Sequence, residues 1–75
     1  MNWKQLIPGC FGAQDLKWGS HALDEQRARR MLKDAIDAGA TMAEIIAEAQ
    51  AFLQGKGAQT QHIQDQLDKI RNLSF

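Results

Sequence analysis

Thr41-Met42-Ala43-Glu44-Ile45-Ile46-Ala47-Glu48-Ala49-Gln50-Ala51-Phe52-Leu53-Gln54-Gly55 is the stretch that decides the fold class. Thr41 and Glu44 stand three apart, the spacing of a capping box. In that motif the hydroxyl accepts from the Glu44 amide while the carboxylate reaches back to the Thr41 amide. Met42, Ile45, Ile46, Ala49, Phe52 and Leu53 then recur at three- and four-residue steps, which places them on one face of a helix. Ile45, Ile46 and Phe52 are expected to be buried by that face. Gly55 is the expected stop.

Upstream, only Gly39 and Ala40 separate this helix from an earlier one. Leu23, Ala28, Met31, Leu32, Ala35 and Ile36 share a face at helical spacing, so a first main helix is expected over 21–38. Ser20 is its expected N-cap, with Asp24 and Glu25 near the positive end of the helix dipole. Gly39 suits the left-handed residue just past its end. Downstream, Gly55-Lys56-Gly57 reads as a flexible link. Thr60 is the expected cap of a third helix over 61–73, with a thinner stripe of Ile63, Leu67, Ile70 and Leu73, and Phe75 beyond it.

Residues 1–20 are different. They hold both tryptophans, the single proline and three of the six glycines. Asn2 is expected to cap a short turn from Trp3 to Ile7, which Pro8 should end, because a residue before proline avoids helical angles. Pro8-Gly9 reads as a turn, followed by irregular chain with one more turn near 13–17. The chain lacks valine and tyrosine, and no strand-length alternation occurs. The expected fold is therefore all-α. It is a single domain over 1–75: a small three-helix bundle at 21–73 with an aromatic-rich, irregular or partly helical arm at 1–20.

At 75 residues the chain has little length left for a water-excluding catalytic pocket once a core is built. Nine basic and nine acidic side chains give zero formal charge, where a general polyanion binder carries a basic excess. A single cysteine, Cys10, forms no intrachain disulfide and fits a reducing compartment. No stretch approaches the roughly 20 apolar residues of a membrane span. Asn2, Lys4 and Gln5, then Pro8 and Gly9, interrupt any leader-like apolar run, so a cytoplasmic protein is expected.

Four constellations bear on chemistry. Ala35, Gly39 and Ile45 match the spacing of a helix-turn-helix, yet the would-be recognition helix carries Glu44 and Glu48 and no cation, facing phosphates that repel it. Two helices packed through a tight turn are the better reading, and nucleic acid is an unexpected partner. Arg27, Arg29, Arg30 and Lys33 form a basic run on the first helix. Glu25–Arg29, Arg30–Asp34 and Lys33–Asp37 are i,i+4 pairs that should neutralise that face. His21, His62 and Cys10 supply too few ligands for a structural zinc site and no nucleophile signature flanks Cys10. Gly55-Lys56-Gly57 lacks the spacing of a phosphate loop. No metal, cofactor, catalytic residue or small-molecule substrate is expected.

Last come Trp3, Phe11 and Trp18. They either complete the thin core of three short helices or leave part of their surface to anchor a partner. The expected function is a non-enzymatic protein-interaction module, a small regulatory or adaptor protein whose partner is another protein or a second copy of the chain. Trp3, Phe11, Trp18, Arg29, Arg30 and Lys33 are its candidate binding residues. The alternatives are a nucleic-acid-binding regulator using the basic face of the first helix, and an enzyme or metal protein.

Overall fold

The computed structural model describes residues 2–11 and 23–73. A 3-10 turn at Trp3–Leu6 runs directly into α1 (Ile7–Cys10), followed by α2 (Glu25–Asp37), α3 (Met42–Gly55) and α4 (Thr60–Asn72). The fold is all-α, a small helical bundle, and no strand occurs among the described residues. None of these helices is long and apolar enough to cross a membrane.

Asn2 caps the first turn as its side chain suggests, its Oδ1 accepting from the Lys4 amide at 3.0 Å. Pro8 does not end that turn. Ile7 keeps helical angles (φ −58, ψ −47) and donates its amide to the Lys4 carbonyl. Pro8 occupies the first turn of α1, where its missing N–H would have had no intrahelical partner anyway. Pro8 and Gly9 are therefore helical residues rather than a turn.

The chain leaves α1 extended at Phe11, which pairs with Leu23 in an isolated antiparallel bridge. The Asp24 amide donates to the Cys10 carbonyl at 2.6 Å. This bridge delays the first main helix. Leu23 precedes it, Asp24 is its N-cap, and the Asp24 carboxylate accepts from the Arg27 amide at 3.2 Å. The expected start at residue 21 is thus corrected to Glu25, and the expected cap Ser20 lies outside the described residues.

Ala28, Met31, Leu32 and Ala35 form the buried face of α2. Ile36, expected beside them, is 40 % exposed. It falls at the margin of the buried arc, on the last turn, where the chain departs for α3. That departure is made by Gly39 at φ +97. The Gly39 amide donates to Ile36 O and the Ala40 amide to Ala35 O, both at 2.9 Å, the pair of bonds of a Schellman motif.

The α3 capping box is formed in both directions, Glu44 N–H to Thr41 Oγ1 at 3.2 Å and Thr41 N–H to Glu44 Oε1 at 3.1 Å. Ile45, Ile46, Ala49 and Leu53 are buried. Phe52 is only half-buried: its ring stacks on Phe11 with centroids 5.5 Å apart, and the Lys56 ammonium lies 5.6 Å from its centroid. Gly55 is still helical, and the stop is Gly57 at φ +79. The Gly57 and Ala58 amides close a second Schellman pair on Gln54 O and Leu53 O, both at 3.0 Å. The expected flexible link is therefore a bonded helix end.

Gly55 and Gly57, one residue apart across Lys56, should respond oppositely to alanine. A Cβ at either position meets nothing within 4 Å, so backbone preference decides the sign. Gly55→Ala should stabilise by about 0.5–1 kcal/mol. Gly57→Ala forces a left-handed alanine and should cost about 1–2 kcal/mol. Chemical unfolding of the two variants checks this, and equal signs would contradict the assigned helix end.

α4 starts one residue earlier than its expected cap allows. Thr60 is its first helical residue, and Gln59 occupies the cap position without a side-chain bond. Ile63, Leu67 and Ile70 close the core together with Gln66. Ile7, Cys10 and Phe11 add the far wall, with Trp3 and Leu6 half-buried against it. The described part of the arm thus completes a core that α2, α3 and α4 alone would leave open.

Candidate functional site

The charged face of α2 is built differently from its expected form. Arg27 is structural: its Nε lies 3.5 Å from the Asp24 carboxylate and its Nη1 donates to the Gly9 carbonyl at 3.4 Å, clasping α1 to α2. Arg29, Arg30 and Lys33 are exposed. Ion pairs among the described residues include Lys4–Glu48 at 3.1 Å, Arg27–Asp24 and Arg71–Asp68 at 2.9 Å. The expected pairs Glu25–Arg29, Arg30–Asp34 and Lys33–Asp37 are not formed. Each would hold two long exposed side chains in one geometry for at most a few tenths of a kcal/mol, roughly what their rotamer freedom opposes.

Helical spacing puts Arg29, Lys33 and Ile36 in one stripe over two turns, since i, i+4 and i+7 share a face. Ile36 is the exposed large hydrophobic among the described residues. Arg30 turns the other way. With Arg27 and Asp34 it rims a cleft of about 340 Å³ between α1 and α2, floored by Leu6, Cys10 and Met31. Cys10 and Met31 are only 1 % and 2 % exposed, so the floor is sealed and the cleft is shallow.

The Cys10 thiol donates to Leu6 O at 3.3 Å and lies 3.7 Å from Arg27 O. Burial pushes its pKa from the ordinary 9.0 up to about 11, the Asp24 carboxylate adds to the rise, and Arg27 opposes it. A thiol held neutral is a poor nucleophile and a poor metal ligand. Among the described residues no three His, Cys, Asp or Glu side chains stand together as a metal site. His21 lies outside them.

The raised thiol pKa has a pH consequence of definite sign. Between pH 9 and 11 the folded protein keeps a proton that the unfolded chain releases. The stabilisation is complete below pH 9 and is lost as the pH rises through 11. Wild type should lose on the order of 2 kcal/mol more than Cys10→Ala across that range. Urea unfolding at paired pH values measures the difference; parallel curves would show a thiol in contact with water.

The aromatic candidates separate. Phe11 is 4 % exposed and stacked on Phe52, so it is a core residue rather than a surface anchor. Its bridge to Leu23 turns it inward. Trp3 is half-buried against the core, and Trp18 lies outside the described residues. Sequence reasoning missed Gln66, which is 4 % exposed and accepts from the Leu23 amide at 2.9 Å, tying α4 to the start of α2. The signal was available: Gln66 interrupts the stripe Ile63, Leu67, Ile70 at an apolar position.

The chain matches no family model, and no curated protein or solved structure matches it.

Proposed function

We propose that this chain is a non-enzymatic protein-interaction module that docks a partner protein, or a second copy of itself, on the outward face of α2. The observation that carries the reading is the stripe Arg29, Lys33, Ile36, an exposed aliphatic side chain preceded on its own face by two exposed cations that form no ion pair among the described residues. Arginine next to an apolar contact is a recurrent anchor at interfaces, and exposed cations favour a partner with acidic side chains. The neutral, enclosed Cys10 and the sealed floor of the α1–α2 cleft support the non-enzymatic half. The N-cap Asp24 with Glu25, Asp34 and Asp37 balances the four cations of α2 and weighs against a nucleic-acid phosphate backbone as the partner.

Ile36→Ser and Lys33→Glu test it. Both residues are exposed, so stability should stay within about 0.5 kcal/mol of wild type. Self-association by sedimentation, or capture of a partner by a photo-crosslinker placed at position 29, should fall at least about tenfold. Association and capture unchanged in both variants would overturn the reading. Binding to random DNA or RNA that falls steeply with salt and is lost in Arg29→Ala would replace it with the nucleic-acid alternative.

A further inference from the structure

We draw no further inference here: the strongest candidate, the outward face of α3 with Ala43, Ala47 and Ala51 exposed in one line, is a stripe of small residues that helix propensity alone accounts for, and nothing in the structure shows what covers it.

Discussion

Phe11→Ala is expected to destabilise the protein by about 3–5 kcal/mol, the range for deleting a buried phenylalanine side chain. Phe11 is 4 % exposed, and its ring stacks on Phe52 at 5.5 Å between centroids and 22° between planes. Removing it leaves a void against α3 and strips Phe52 of its stacking partner. It also weakens the Phe11–Leu23 bridge, whose extended backbone brings the chain to the Asp24 cap of α2. A domain this small has a total stability of only about 4–11 kcal/mol, so the loss removes a large share of it. Phe11→Leu keeps an apolar side chain in the same place and should lose distinctly less, which leaves a measurable transition if the alanine variant unfolds. Urea unfolding followed by circular dichroism gives both values. A loss below about 1 kcal/mol for the alanine variant would place the arm outside the core.

The helices were legible because their signals are local. Thr41 and Glu44 cap α3 through atoms three residues apart, and Gly39 reverses the chain through its own φ. The errors come where a distant residue decides. Nothing near Ser20 shows that Leu23 pairs with Phe11, yet that bridge sets where α2 begins. Pro8 reads as a stop because the residue before a proline tends to avoid helical angles; Ile7 keeps them, and Pro8 sits in the first turn of α1, where its missing N–H costs nothing. Gly55 and Gly57 are both glycines after an apolar stripe, and only the backbone angles separate the helical one from the stop.

The candidate site was legible in its charges and misread in its apolar member. Arg29, Arg30 and Lys33 lie on the polar side of α2 whichever neighbours it has. Ile36 is different. Periodicity assigns a residue to an arc, but the width of the buried arc depends on how far the neighbouring helix covers it. On the last turn of α2 the arc still buries Ala35 and stops short of Ile36 at its margin, so Ile36 moves from expected core to the exposed stripe. Phe11 made the opposite move, because its inward orientation follows from a bridge with a residue twelve positions away. Gln66 is legible in part: its place in the apolar stripe of α4 signals burial, while its partner, the Leu23 amide, is 43 residues away and becomes visible only in the fold.

Leu53→Ala is expected to cost about 2–5 kcal/mol. Leu53 is fully buried at the end of α3, so the substitution loses apolar burial and leaves a cavity that the surrounding helices close only in part. It also acts on the helix stop. The Leu53 carbonyl accepts from the Ala58 amide at 3.0 Å in the Schellman pair, and Ala58 packs half-buried against the same core. Such motifs are commonly sealed by an apolar contact between these two positions. Trimming Leu53 removes one side of that contact and loosens the turn that directs α4 back along α3. Leu53→Met preserves volume and should cost less than about 1.5 kcal/mol, while Gln54→Ala on the exposed side of the same turn should stay within about 0.5 kcal/mol. The order Leu53→Ala, Leu53→Met, Gln54→Ala in chemical unfolding supports this packing. Equal effects at positions 53 and 54 would mean that α3 presents a different face to α4.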